Sequence, residues 1–262
     1  MIGKLRELLH SAYVGSVAPS RRKAIYRILH AAEYRALRTA VFPSPKGTFS
    51  LRRCDELRTI FVHTPKAAGT SVALSIFGEL PYHYTAADYL TIFGRETFTR
   101  YFTFTFVRNP WDRVYSAYTY LKRGGWDEKD RAWTSQHLSP YRDFADFVHN
   151  GLRQPAVQQF MHFVPQHEFI CDQRERILVD YVGYFETITE DFAEICRRIG
   201  IEATLAHTNR STERTYHTVY DNNMRQIVGQ VYARDIRIFR YDFDKVAARV
   251  APAVSLAGQP PL

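Results

Sequence analysis

Two segments of the 262-residue chain combine cationic and hydroxyl side chains in the way that an anion-binding site requires. In the first, from Phe61 to Ser71, an apolar stretch leads into a loop with one lysine and one glycine, and two hydroxyl residues follow. Backbone N–H groups in the first turn of a helix lack partners within the helix and carry partial positive charge, so they bind phosphate or sulfate. Lys66 would add a full charge, and Gly69 would let the backbone approach the anion. Thr70 and Ser71 would add hydroxyl donors.

The alternative for this first segment is an ordinary turn between a strand and a helix, with a surface lysine. The GxxxxGK[ST] pattern of a Walker A loop is absent, because the lysine precedes the glycine. The composition alone does not decide between the two interpretations.

The second segment extends from Phe104 to Tyr118 and contains Arg108 and Ser116. Arg108 ends an apolar stretch, and the following Asn-Pro pair is typical of a helix start. Ser116 would lie about two turns into that helix. A forked guanidinium with a nearby hydroxyl suits a terminal phosphate group. Alternatively, Arg108 forms a salt bridge at the helix start and Ser116 is a small packing residue.

Both segments lie in a repeated pattern of strand, loop and helix. Strands are predicted at Thr59–His63, Tyr101–Val107 and Arg176–Tyr184. Helices are predicted at Thr70–Phe77, Trp111–Leu121 and Val219–Phe239, and from a Thr187/Glu190 capping box to Gly200. Strands that alternate with helices predict an α/β fold with a mostly parallel sheet flanked by helices.

The positive charge is concentrated near the N-terminus. Up to Arg58 there are 12 lysines and arginines against 4 aspartates and glutamates, a net charge of +8 that equals the net charge of the whole chain. Helical spacing of apolar residues before position 42, and a break at Pro43–Gly47, predict a basic helical extension over residues 1–45 and one domain over 46–262. Residues 1–58 would attract an anionic membrane surface or an acidic glycan, or would simply stay solvated. We expect no nucleic-acid partner.

The cysteines and the hydropathy indicate the compartment. Cys54, Cys171 and Cys196 are scattered and form no CxxC pair, which argues against a disulfide framework or a zinc site. No apolar run reaches the roughly 18 residues that a membrane helix needs, and the N-terminus is too charged for a signal peptide. We expect a cytoplasmic protein, peripheral at the membrane if the extension binds there.

Taken together, PKAAGTS at residues 65–71 and FVRNPWDRVYSAY at residues 106–118 resemble the paired nucleotide-binding signatures of sulfotransferases that use 3′-phosphoadenosine 5′-phosphosulfate (PAPS). The resemblance is strongest to the carbohydrate branch (sulfotransferase family 2-like), which includes the heparan and chondroitin enzymes and many bacterial relatives. It extends weakly over residues 58–244 and implies one α/β domain around a parallel sheet, related to the P-loop kinases.

The resemblance also implies roles for individual residues. The first loop would bind the 5′-phosphosulfate of the donor, and Lys66 would also stabilise the charge that develops on the leaving phosphate. Arg108 and Ser116 would bind the 3′-phosphate, and residues 210–212 would close over the nucleotide. The residues implied in nucleotide binding are Lys66, Ala67, Ala68, Gly69, Thr70, Ser71, Arg108, Ser116, Arg210, Ser211 and Thr212.

Transfer to a hydroxyl needs a group that removes the proton of the acceptor. His83 lies between the two segments, in the stretch where the uronyl 2-sulfotransferases have their catalytic histidine, and His63 at the end of the first strand is the rival. Lys66 and His83 are the predicted catalytic residues. The sequence contains no carboxylate cluster that suggests a metal, so no metal site is predicted.

The sequence therefore predicts an enzyme that moves a sulfuryl group from PAPS to a hydroxyl of a carbohydrate or glycolipid acceptor. One alternative is a nucleotide or sugar kinase, which needs a Walker lysine and an acidic residue that holds magnesium. The other is a non-catalytic protein that binds glycans or a membrane surface through its basic extension.

Overall fold

The computed structural model of the chain describes residues 19–44, 47–80, 82–205 and 216–244. The strands are β1 (Val41–Ser44), β2 (Gly47–Ser50), β3 (Thr59–Val62), β4 (Phe102–Val107) and β5 (Tyr181–Tyr184). The first eight helices are α1 (Pro19–Leu29), α2 (Ala31–Ala36), α3 (Arg52–Leu57), α4 (Gly69–Phe77), α5 (Ala86–Phe93), α6 (Arg95–Arg100), α7 (Pro110–Lys122) and α8 (Glu128–His137). They are followed by α9 (Phe144–Asp146), α10 (Pro155–Gln158), α11 (His167–Ile170), α12 (Ile188–Ile199), α13 (Tyr216–Val219), α14 (Asn222–Val231) and α15 (Ala233–Phe239).

A three-stranded parallel sheet in the order β3-β4-β5 forms the centre of the domain. All four residues of β3 are buried, as expected of a strand covered on both faces. Phe61 of β3 stacks on Phe104 of β4, with ring centroids 4.9 Å apart. The predicted α/β class, with a parallel sheet flanked by helices, is confirmed. Because the strands are parallel, the loops that follow β3, β4 and β5 emerge at the same edge of the sheet.

The segment predicted as a break between extension and domain contains an antiparallel hairpin instead. β1 pairs with β2 from Val41↔Ser50 to Ser44↔Gly47. Phe42 and Phe49 pack against Tyr82, which buries apolar surface that a solvated linker would expose. Before the hairpin, α2 packs against α5, and the predicted domain boundary at residue 45 stays a prediction.

The start of one strand, the length of one helix and the cap of another differ from the sequence predictions, as tertiary contacts compete with local preference. β5 begins at Tyr181 rather than at residue 176. The predicted helix 219–239 is divided into α14 and α15 at Tyr232, whose buried hydroxyl donates to the Phe163 carbonyl at 2.8 Å. The predicted Thr187/Glu190 capping box does not form, since the Thr187 hydroxyl donates to Asp191 at 2.7 Å.

The structure also describes the three cysteines and the lengths of the helices. Cys54, Cys171 and Cys196 are free thiols, and Cys196 is buried in the core as its helical spacing predicts. Within the described ranges, no helix combines the length and apolarity needed to cross a membrane.

Candidate functional site

The loop between β3 and α4 has a backbone suited to an anion. Lys66 and Ala68 have positive φ angles of 67° and 62°. Residues other than glycine adopt this backbone conformation at a cost of about 1–3 kcal/mol each. Backbone of this kind directs successive N–H groups to one side and forms an anion-binding concavity. Ala68 precedes the first turn of α4 without a side-chain cap. The loop and the helix start therefore lie where the sequence predicts them.

Gly69 is required for a reason that the sequence does not reveal. A Cβ atom at Gly69 would lie 1.8 Å from Cδ2 and 2.1 Å from Nε2 of the His63 ring. His63 is buried and stacks on Phe61, with ring centroids 5.6 Å apart, so its imidazole has little room to move. The glycine thus allows close contact between α4 and His63. From the sequence alone, its predicted role is to let the backbone approach an anion.

The loop after β4 meets the loop after β3 through Arg108. Its Nη1 donates to the Lys66 carbonyl at 3.2 Å and to Ser116 Oγ at 3.1 Å. Its Nε and Nη2 donate to the two carboxylate oxygens of Asp112 at 2.8 and 2.9 Å. The guanidinium also lies 4.0 Å from the ring centroid of Phe185, which follows β5. Arg108 therefore joins residues that follow all three strands of the sheet.

A second buried arginine ties the same loop to a distant part of the chain. Arg113 is 1% exposed, and it donates to the Pro65 carbonyl at 2.9 Å and to the Val164 carbonyl at 2.8 Å. Gln166 makes two hydrogen bonds, both 2.8 Å long, to the backbone N–H and carbonyl of Arg108. These contacts fix the loop at Lys66 and the end of β4 against the segment around residue 165.

Lys66 is held beside an aromatic ring and near other cations. Its ammonium lies 3.6 Å from the ring centroid of Tyr120, and the Tyr120 hydroxyl donates to Asp130 at 3.1 Å. Burial and the positive charge of Arg108 lower the pKa of Lys66 to about 7. An anion bound at this loop would favour the charged ammonium and raise that pKa.

The two candidate histidines are neighbours. The ring centroids of His63 and His83 are 4.1 Å apart, and His83 Nδ1 lies 2.8 Å from the His63 carbonyl oxygen. A carbonyl only accepts, so Nδ1 carries the proton and Nε2 of a neutral His83 keeps its lone pair. Burial lowers the pKa of His83 to about 4, so the imidazole is neutral at physiological pH. His83 has the tautomer and the protonation state of a base.

The structure therefore brings most of the predicted site residues together. The loop after β3 and the first turn of α4 contain Lys66, Ala67, Ala68, Gly69, Thr70 and Ser71. Arg108 and Ser116 lie beside this loop, and His83 packs against His63. The predicted closing residues Arg210, Ser211 and Thr212 lie outside the described residues.

Several residues that position the site are not predicted from the sequence. Asp112 lies four residues after Arg108 on α7, and this spacing of opposite charges is a readable signal of a helical ion pair. Arg113 lies within the second segment, but the sequence does not show that it is buried. A fully buried arginine is rare unless it is paired. The contact of Tyr120 with Lys66 has no local signal, because the two residues are brought together only by the fold.

Two comparisons with known proteins identify the family of the chain. The family model described as "Sulfotransferase family" matches residues 83–242, more than half of the chain; it includes His83, Arg108 and Ser116 and begins after the Lys66 loop. An uncharacterized protein of Archaeoglobus fulgidus is 29% identical to this chain over 137 residues, which cover 52% of this chain and 92% of the relative. The match begins at the candidate base, His83, and ends just after α15. The chain therefore belongs to the sulfotransferase family.

Proposed function

We propose that this sulfotransferase takes its sulfuryl group from PAPS and transfers it to a hydroxyl of a carbohydrate acceptor, with His83 as the general base. The observation that carries the proposal is the meeting of the Lys66 loop with Arg108 and Ser116, next to a neutral histidine. Membership of the sulfotransferase family favours this function over the kinase and non-catalytic alternatives.

The loop residues fit the charges of the proposed donor. PAPS carries a phosphosulfate at one end of the nucleotide and a 3′-phosphate on the ribose. The positive-φ backbone at Lys66 and the uncapped start of α4 suit the phosphosulfate. The Arg108 guanidinium and the adjacent Ser116 hydroxyl suit the 3′-phosphate.

The chemistry then follows from the positions of the side chains. The acceptor oxygen attacks the sulfur in line with the bridging oxygen, and the bond from sulfur to that oxygen breaks. The proton of the acceptor hydroxyl passes to Nε2 of His83. Lys66 stabilises the negative charge that grows on the phosphate of the departing adenosine 3′,5′-bisphosphate (PAP).

Incubation of the protein with PAPS labelled in its sulfur, together with a panel of glycans and glycolipids, tests this proposal. We expect label on at least one sugar acceptor, with PAP released in equal amount. If label is never transferred although PAP is bound, the transfer assignment is wrong and the chain is a nucleotide-binding relative.

Affinity for PAP should fall by about tenfold for each pH unit above 7, as expected when binding takes up one proton. The proton is taken up by Lys66, because its pKa is about 7 in the free protein and rises when the anion arrives. The second phosphate ionisation, near pH 6, is complete in this range and does not contribute. Calorimetric titration between pH 7 and 9 measures the slope, and Lys66→Met should flatten it. An unchanged affinity from pH 7 to 9 in the wild type would contradict the role of Lys66.

We also propose that the basic extension meets an anionic surface at a cytoplasmic membrane. The support is the net charge of +8 up to residue 58, together with the 75% exposure of both Ile28 and Leu29 at the end of α1. Exposed apolar residues on a basic helix are typical of segments that lie at a membrane interface. Cosedimentation with phosphatidylserine vesicles should be strong at low salt and weak at 0.5 M salt, owing to screening. Equal binding to neutral vesicles would contradict an electrostatic contribution.

A further inference from the structure

A cleft of about 540 Å³ lies between the N-terminal helices and the domain, and His83 is among the residues that line it. This volume is within the range of sites for small molecules. The N-terminal helices contribute Lys23, Tyr26, Arg27 and Tyr34 to the lining. The family match begins only at residue 83, so this wall of the cleft lies outside the part of the chain that defines the family.

Two ion pairs place α1 beside the candidate base. Arg27 Nε lies 3.1 Å from Asp88 Oδ1 in an ion pair, and both side chains are less than 20% exposed. The other oxygen of Asp88 accepts hydrogen bonds from the backbone N–H and hydroxyl of Thr85 in a capping box at the start of α5. Asp88 is therefore held in place only five residues after His83. Lys23 makes the second pair, at 3.3 Å, with Glu168.

The charges that line the cleft balance one another. Of the residues that the structure describes here, Lys23 and Arg27 are the cations and Asp88 and Glu168 are the anions, and each cation is paired with one anion. Burial keeps His83 neutral at physiological pH. Among the described residues of the lining, a ligand with a carboxylate or sulfate would find no unpaired cation and would have to separate an ion pair to obtain one.

The cleft also offers flat aromatic surface and neutral donors. Tyr26 is 53% exposed, and its ring stacks on His30 with centroids 4.1 Å apart. Burial and the charge of Asp88 raise the pKa of Tyr34 to about 12, so its hydroxyl stays protonated. Gln159 adds an amide, and Met161, Val164 and Phe169 add apolar surface. Aromatic faces with uncharged hydrogen-bonding groups match the apolar faces and hydroxyls of a sugar ring.

We infer that the cleft between α1 and the domain is the acceptor site, and that it selects an uncharged sugar residue held against Tyr26, rather than a uronic acid. The inference rests on the proposed function, because His83 supplies the link between the cleft and the transferred group. It assigns to the N-terminal helix a role in choosing the acceptor, in addition to any role at a surface.

Binding of p-nitrophenyl β-glycosides to the full chain tests the inference, using glucose and galactose probes, each compared with its uronic acid. Each pair differs only in a carboxylate at carbon 6, and p-nitrophenol alone controls for the aglycone. We expect saturation-transfer NMR to detect the neutral glycosides, with the uronic acids at least about fivefold weaker, because a carboxylate would have to separate an ion pair of the lining to obtain a cation. Tyr26→Ala should weaken glycoside binding by about 3- to 10-fold. Ile28→Ala, on the same helix but outside the lining, is the matched control and should have no effect.

The outcomes separate this inference from the proposed function. Uronic acids that bind as well as the neutral sugars, or neutral sugars that do not bind, would overturn the inferred acceptor class. Equal effects of Tyr26→Ala and Ile28→Ala would remove α1 from the site. A parallel titration with PAP tests the donor site alone, since neither substitution touches the Lys66 loop. If PAP binds and the glycosides do not, the cleft assignment fails while the donor assignment stands.

Discussion

Turnover is expected to fall by about 10²–10⁴-fold when His83 is replaced by alanine, the usual contribution of a general base. Affinity for PAP should be unchanged, because the contacts proposed for the nucleotide come from the Lys66 loop, Arg108 and Ser116. The two effects are measured by initial rates of transfer at saturating PAPS and by calorimetric titration with PAP. Wild-type turnover in His83→Ala would mean that the base is another group, with His63 next to be tested.

The pH dependence of the same variant gives a second check on the base. A base works in its neutral form, and burial lowers the pKa of His83 to about 4. Wild-type turnover should therefore persist as the pH falls through 6.5 and decline only near pH 4, and this acid limb should be absent in His83→Ala. The sequence alone predicts a limb in the usual range of histidine. A limb near pH 6.5 would mean that His83 is not the base with the lowered pKa that the structure describes.

Replacing Arg108 by alanine is the second substitution with a large expected effect, because it acts on both stability and binding. The side chains of Arg108 and Asp112 are 8% and 9% exposed, so the substitution leaves a buried carboxylate without its partner. That loss should lower the free energy of unfolding by about 3–5 kcal/mol. Affinity for PAP should also fall by about 10- to 150-fold for the lost contact to the 3′-phosphate.

A double variant separates the two effects of Arg108. Arg108→Ala with Asp112→Ala removes the orphaned carboxylate and should regain much of the stability measured by urea unfolding. Affinity for PAP should stay as low as in Arg108→Ala, because the phosphate contact is still missing. Recovery of PAP affinity in the double variant would indicate that Arg108 has only a structural role.

The proximity of the two predicted loops can be read from the sequence, because it follows from parallel strands. The sequence places Lys66 after one strand and Arg108 after the next, and strand ends in a parallel sheet meet at one edge. The contact from Arg108 to the Lys66 carbonyl, at 3.2 Å, is the result. The start of α7 was equally readable, since Asn109 caps it and Pro110 is its first residue.

The features of the site and the fold that the sequence does not predict depend on contacts between residues far apart in the chain. The positive φ angles of Lys66 and Ala68 carry no local signal, because neither residue is a glycine. The approach of His63 to Gly69, and the ring of Tyr120 beneath Lys66, arise only when the helices pack on the sheet. The hairpin at Phe42 and the break at Tyr232 are likewise not predicted from the sequence. Aromatic packing at Phe42 and the hydrogen bond of the buried Tyr232 hydroxyl override the local preference for a linker and for a continuous helix.

The most direct test of the account compares PAP with adenosine 5′-monophosphate (AMP) in calorimetric titrations without magnesium. The two nucleotides differ only in the 3′-phosphate, the group assigned to the paired side chains of Arg108 and Ser116, which lie 3.1 Å apart. PAP should bind at least about tenfold more tightly than AMP, the least expected for a charge-assisted contact. Equal affinities for PAP and AMP would contradict the central claim that these two loops form the site of a 3′-phosphorylated sulfuryl donor.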